Sequence, residues 1–147
     1  MRRQSVLLAA ILLFSGNALA EPSARTRYLL KCSGCHLPDG SGEISGGIPN
    51  FVGQVGVFAD LPEGRSYLMH VPGVIGSSLD DREIAEVMNY IMKSFAGASL
   101  GRDYRSFSPQ EVSALRKEDI GNLVEYRRKL AALLKRRGVA LPAYPWP

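Results

Sequence analysis

Cysteine and histidine are scarce in this chain of 147 residues, which contains two of each. So few cysteines exclude a disulfide-rich scaffold of the kind found in small secreted proteins. Long hydrophobic runs are also missing: the longest, Val6 to Phe14, is far shorter than the roughly 20 residues that span a bilayer as a helix. No internal repeat is visible. The length leaves room for one domain and an extension.

The first 20 residues have the pattern of a secretory signal peptide. Arg2 and Arg3 form a basic start, Val6 to Phe14 is the apolar segment, and an A-x-A cleavage site ends at Ala20. The alternative is an uncleaved membrane anchor, which the shortness of the apolar segment disfavours. We expect cleavage after Ala20 and a soluble, periplasmic protein.

Charge is distributed unevenly along the mature chain. Residues 21–101 carry 6 basic and 9 acidic side chains, whereas residues 102–147 carry 10 basic and 5 acidic ones. The simplest interpretation is a solvated helical face near the C-terminus. In the alternative interpretation the basic end docks on the acidic part of the chain or on an acidic partner. A membrane surface is a further, less favoured partner.

Both cysteines lie in one motif, Cys32-Ser33-Gly34-Cys35-His36. This C-x-x-C-H pattern is the attachment signal for a c-type haem. The two thiols bond to the vinyl groups of one porphyrin, and the imidazole of the next residue is the proximal iron ligand. We therefore predict one covalently attached haem c, with Cys32 and Cys35 as attachment points and His36 as the metal ligand.

Two other uses of these residues compete with the haem interpretation. A redox disulfide between the cysteines would be expected in a β-α-β setting, and no β-rich pattern surrounds Cys32. A zinc site could take Cys32, Cys35, His36 and His70 as its four ligands. The adjacent positions of Cys35 and His36 make that geometry awkward, so the haem interpretation is favoured over both.

Helical spacing of apolar residues predicts an all-α chain. Helices are expected at residues 23–32, 63–71, 79–95 and 119–137, with a shorter one that starts at Ser108. Ala24, Tyr28 and Cys32 lie four residues apart on one face of the first helix. Together with the C-x-x-C-H motif, this order of a small residue, an aromatic and a cysteine resembles the class I c-type cytochromes.

The resemblance implies a cytochrome c-like haem domain at residues 21–98. We expect a linker at residues 99–107, a two-helix extension at 108–138 and a proline-rich tail at 139–147. In the haem domain, the helix at 79–95 should cross the first helix, so that Tyr28 meets it. The extension has amphipathic helices, and we expect them to pack on the haem domain or on a partner.

The resemblance also implies roles for residues outside the motif. Pro49 lies 13 residues beyond His36, where the family places a proline carbonyl on the free N–H of the proximal imidazole. The usual distal methionine would fall near Val74 or Ile75, and neither can bind iron. The nearest candidates are Met69 and His70, which are adjacent on a predicted helix, so only one of them can face the iron.

These observations lead to one expected function and two alternatives. We expect a periplasmic monohaem cytochrome that carries single electrons and is not an enzyme. Its partner would be a periplasmic dehydrogenase, a reductase or another cytochrome, and no nucleic acid is expected. One alternative is a haem protein with an open distal site, acting as a gas or peroxide sensor or a small haem enzyme. The other is a cytochrome subunit of a larger oxidoreductase.

Overall fold

A computed structural model describes residues 21–139 and residue 141. The predicted signal peptide and most of the proline-rich tail lie outside the described residues. Eight α-helices follow one another along this described part: α1 (Ala24–Lys31), α2 (Ser33–His36), α3 (Gly56–Ala59), α4 (Pro62–His70), α5 (Pro72–Ile75), α6 (Asp81–Phe95), α7 (Pro109–Leu115) and α8 (Leu123–Arg136). The same residues form no β-strand, only an isolated bridge between Glu43 and Ile48. The predicted all-α fold class is confirmed.

Side-chain caps start α1 and α6 within two residues of the helix starts that the sequence predicts. The Ser23 hydroxyl accepts a hydrogen bond from the backbone N–H of Thr26 and begins α1. Asp80 and Glu83 form a reciprocal capping box at the start of α6. Each of these caps satisfies backbone donors that have no partner within the helix.

The last helix starts later than the sequence pattern predicts. Residues 119–122 are not helical, and α8 begins at Leu123. Gly121 has a positive φ of 65°, which interrupts the helical path, and the Asn122 side chain then accepts from the backbone N–H of Glu125 as a new cap. Ile120 therefore does not belong to the apolar face of α8.

α1 and α6 cross, as the resemblance implies, and an aromatic cluster fills the crossing. Tyr28 is fully buried, with its ring centroid 5.5 Å from that of Tyr90 and 5.2 Å from that of Phe95. Beside this cluster, the buried Arg27 bridges to Glu83 at 3.0 Å and to Glu86 at 2.7 Å. The crossing therefore combines apolar burial with charge pairing between the two helices.

The C-terminal extension packs on the helices that precede it. α7 contacts α6 and α4, while α8 contacts α4. Val112, Leu130 and Leu134 from the extension are buried and belong to the same hydrophobic core as Tyr28. The extension therefore covers apolar surface of this chain itself.

A buried arginine connects α4 to the extension. Arg65 forms two hydrogen bonds of 2.7 Å to the Glu111 carboxylate, and its remaining nitrogen donates to the carbonyl oxygens of Ala59 and Arg105. Its guanidinium also lies 3.7 Å from the centroid of the Phe107 ring. Burial alone would raise the pKa of Glu111, but the hydrogen bonds and charge of Arg65 outweigh it and lower that pKa.

Within residues 21–139, no helix is both long enough and apolar enough to cross a bilayer.

Candidate functional site

The C-x-x-C-H motif sits where α1 ends and α2 begins. Cys32 is the cap between the two helices, and α2 runs from Ser33 to His36. The amide N–H groups of Cys35 and His36 both donate to the Cys32 carbonyl oxygen, so the two cysteines share one tight turn. Both cysteines are free thiols, and Cys35 is exposed. Burial, followed by the nearby Cys35, raises the pKa of the Cys32 thiol.

The His36 ring is held by the loop that follows the motif. Its Nδ1 lies 3.2 Å from the Pro49 carbonyl oxygen, to which it can donate its hydrogen. The Phe51 ring stacks on the imidazole, with ring centroids 3.9 Å apart and planes 18° apart. These two contacts fix the position and the plane of the imidazole.

The other ring nitrogen of His36 is left available. Nε2 has no hydrogen-bond partner among the residues that the structure describes. Burial lowers the pKa of His36, and the hydrogen bond to Pro49 opposes this effect only in part. A neutral imidazole that donates from Nδ1 presents a lone pair at Nε2, which is the form that binds a metal ion.

Glycines in the loop bring the Pro49 carbonyl into place. Gly42 has a φ of +67°, and a Cβ atom there would lie 2.5 Å from the Pro49 oxygen. Gly40 has a φ of +79°, and a Cβ atom there would meet the Phe95 ring at 2.8 Å. Neither position accepts a side chain without displacing its neighbours, so the loop closes as observed only with glycine at both positions.

Tyr28 joins the helix crossing to the motif. Its hydroxyl donates to the carbonyl oxygen of Leu37, the residue after His36, over 2.6 Å. Leu37 has φ 60° and ψ 159°, a conformation that is nearly restricted to glycine. The surrounding contacts must therefore hold this residue, and the strained backbone ends α2 directly after the imidazole.

The disulfide and zinc alternatives find no support in this geometry. Cys32 and Cys35 form no disulfide bond with each other. No group of three or more His, Cys, Asp or Glu side chains within the described ranges could hold a metal ion.

The two distal candidates lie on α4 and face the extension. His70 has Nδ1 2.8 Å from the Ser66 carbonyl oxygen and Nε2 2.9 Å from the Glu118 carbonyl oxygen. Met69 is fully buried in the hydrophobic core.

The chain is similar to known cytochromes over most of its length. It is 33% identical over 127 residues to a cytochrome c-552 of Thermus thermophilus, an alignment that covers 74% of this chain and 84% of the relative. A second cytochrome c-552 of Thermus thermophilus is 32% identical over 104 residues, covering 58% of this chain and 79% of that protein. The chain belongs to the c-type cytochromes. No protein-family model matches it.

Membership in the c-type cytochromes implies haem c, and the residues present suit that cofactor. Two thiols one turn apart can form the thioether bonds, and the oriented imidazole beside them can bind the iron. A cytochrome also needs apolar surface around the porphyrin, and Leu37, next to His36, exposes its side chain. The motif and its loop thus fit this cofactor.

Three supporting contacts were not predicted from the sequence of this cytochrome. These are the hydrogen bond from Tyr28 to Leu37, the stack of Phe51 on His36, and the clash that keeps residue 42 a glycine. The glycine-rich composition of residues 40–47 is typical of a loop. The other two contacts are tertiary and have no local sequence signal.

Proposed function

We propose that this c-type cytochrome is a periplasmic one-electron carrier with a single haem c attached to Cys32 and Cys35. The observation that carries the proposal is the His36 imidazole, fixed by the Pro49 carbonyl with Nε2 left available, directly after a pair of free thiols. Bound haem would supply a one-electron couple between ferric and ferrous iron. Electron transfer requires no catalytic acid, base or nucleophile from the chain.

The chain's own residues would hold the cofactor and adjust its potential. The Pro49 carbonyl accepts the Nδ1 hydrogen, which fixes the tautomer of His36 and increases the basicity of Nε2. The Phe51 ring shields one face of the imidazole from water. Tyr28 holds the backbone at Leu37 and so limits movement of the motif against α6.

A transient protein partner fits the surface next to the motif. Leu30, two residues before Cys32, is 71% exposed, although it is a large apolar side chain. Brief redox encounters use small interfaces, and a few apolar contacts near the cofactor are enough for them. We propose a periplasmic dehydrogenase, reductase or other cytochrome as the partner. The signal-peptide pattern of residues 1–20 supports export to that compartment.

A spectroelectrochemical titration tests the electron-carrier function. The full-length chain is expressed in a bacterium with the c-type haem maturation system, and the haem protein is recovered from the periplasmic fraction. We expect a mature chain that starts at Glu21 and a reversible transition that fits one electron per haem. Retention in the cytoplasm would contradict the location, and an irreversible or absent transition would contradict the carrier function.

A further inference from the structure

We propose that no side chain of this protein fills the sixth coordination position of its haem iron, and that this position binds a neutral diatomic ligand such as carbon monoxide or nitric oxide. The inference rests on the proposed function, because it takes the haem on Cys32 and Cys35, with His36 as proximal ligand, as its starting point.

The chain has few side chains that could complete the coordination. Histidine and methionine are the axial ligands of cytochrome c iron. Apart from His36, residues 21–147 contain one histidine, His70, and three methionines, Met69, Met88 and Met92. The structure places each of these four in contacts that compete with iron binding.

His70 has both ring nitrogens directed at acceptor oxygens. Nδ1 faces the Ser66 carbonyl on the preceding turn of α4, and Nε2 faces the Glu118 carbonyl between α7 and α8. A nitrogen that binds iron must direct a lone pair at the metal. His70 would have to give up its contact with Glu118, and with it a link between α4 and the extension, before Nε2 could bind.

Met69 lies on the face of α4 that the extension covers. Residues four apart on a helix share a face, and Arg65, four residues before Met69, forms its two hydrogen bonds to Glu111 of α7. Met69 itself is 0% exposed and packed in the core. Both distal candidates are therefore turned toward the extension.

The other side chains that could bind iron lie either in the core or at the surface. Met88 and Met92 belong to the buried face of α6, together with Ile84 and Ile91. Lysine amines are alternative ligands, but the five lysines are all exposed to solvent: Lys31, Lys93, Lys117, Lys129 and Lys135.

The segment from α4 to α6 determines which exogenous ligand is favoured. Residues 71–79 contain only apolar residues, glycine, proline and serine. In class I cytochromes this segment supplies the distal ligand, whereas here its counterparts Val74 and Ile75 lie at the end of the short helix α5. None of these residues carries a charge that could pair with an anion, so a neutral diatomic is favoured over cyanide or azide.

Ligand binding to the intact holoprotein tests the inference. The ferrous protein should be high-spin and should bind carbon monoxide in a single phase whose rate rises linearly with carbon monoxide concentration. A low-spin ferrous spectrum, or a rate that saturates because an internal ligand must leave first, would overturn it. A haem that is lost from the unfolded chain would instead contradict the covalent attachment, and thus the proposed function.

Two conservative variants identify an internal ligand if there is one. Met69→Leu preserves core volume and His70→Gln preserves hydrogen-bonding capacity, with Met88→Leu as a matched control on α6. All three should have the ferrous spin state and the carbon monoxide rate of the wild type. A change of spin state or a faster rate in M69L or H70Q alone would assign that residue as the distal ligand and refute the open position.

Discussion

The Nδ1 atom of His36 lies 3.2 Å from the carbonyl oxygen of Pro49, 13 residues later in the chain. The contact depends on Gly42, because a Cβ atom at that position would lie 2.5 Å from the same oxygen. Glycine at this position is therefore needed for the contact between Pro49 and the imidazole. The loop between His36 and Pro49 is as much a part of the proposed haem site as the cysteines.

Gly42→Ala should weaken the proximal side of the haem site. The substituted residue would have to adopt a φ near +67° and displace the Pro49 backbone, which would lengthen the contact with His36. The loss of this hydrogen bond makes Nε2 less basic, so the reduction potential of the haem should rise. Spectroelectrochemistry measures the reduction potential, and urea unfolding of the holoprotein measures the stability of the variant.

Gly53→Ala is the matched control for this substitution. Gly53 has a similar φ of +69°, but nothing lies within 4 Å of its added Cβ atom. It should lose about 1–2 kcal/mol of stability for the left-handed backbone conformation and keep the wild-type potential. Equal potentials in G42A and G53A would mean that the Pro49 carbonyl does not influence the iron.

Local sequence patterns predicted the parts of this structure that local physics controls. Ser23 and the Asp80–Glu83 pair mark helix starts because capping involves residues within three positions of one another. The spacing from His36 to Pro49 predicted their contact only with the help of the family resemblance. The fold class and the C-x-x-C-H motif needed no more than the sequence.

The features that the sequence did not reveal depend on distant residues or on single backbone conformations. From the sequence, Arg65 would be assigned to the surface of α4, because its partner Glu111 lies 46 positions away and gives no local signal. The predicted start of α8 missed the turn at Gly121, although glycine before a capping Asn122 is a pattern typical of a turn that leads into a helix. The orientation of His70 toward the Glu118 carbonyl likewise follows from where the extension packs.

Tyr28→Phe should reduce stability without removing the haem. The variant loses the hydrogen bond to the Leu37 carbonyl but keeps the ring between α1 and α6, so a loss of about 1 kcal/mol is expected. Urea unfolding of the holoprotein at neutral pH measures this loss. A variant as stable as the wild type would show that the strained backbone at Leu37 does not need this bond.

The same variant should change how stability depends on alkaline pH. Burial, and secondarily Cys32, raises the pKa of Tyr28 to about 12. Above the ordinary tyrosine pKa of about 10, the unfolded chain releases this proton and the folded chain keeps it, so the free energy of unfolding falls as pH rises. Y28F should show a shallower fall than the wild type between about pH 10 and about pH 12. Parallel curves would contradict the raised pKa.

Glu111→Gln should destabilise the packing of the extension. The substitution leaves the Arg65 guanidinium buried without its carboxylate, and removing one partner of a buried pair costs roughly 3–5 kcal/mol. Arg105→Gln is the control, because Arg105 contacts the same carboxylate but is 72% exposed, and its loss should cost less than about 1 kcal/mol. Urea unfolding compares the stabilities of the two variants. Equally small losses of stability would mean that the Arg65–Glu111 pair does not anchor the extension.

Lowering the pH should destabilise the wild type through the same Arg65–Glu111 pair. The pKa of Glu111 is lowered in the folded protein, so its contribution to stability is present above its ordinary pKa and is lost as pH falls through the lowered value. Glu111→Gln should therefore lose less stability than the wild type on acidification. A steeper acid dependence in the variant than in the wild type would contradict this assignment.

Covalent attachment of the haem underlies every proposal made for this chain, and mass spectrometry of the exported protein measures it. We expect one haem per mature chain that stays bound after acid–acetone extraction, located on the peptide that contains Cys32 and Cys35. Cys32→Ala together with Cys35→Ala should abolish this added mass. A wild-type chain without haem, or with haem that the solvent extracts, would refute covalent attachment.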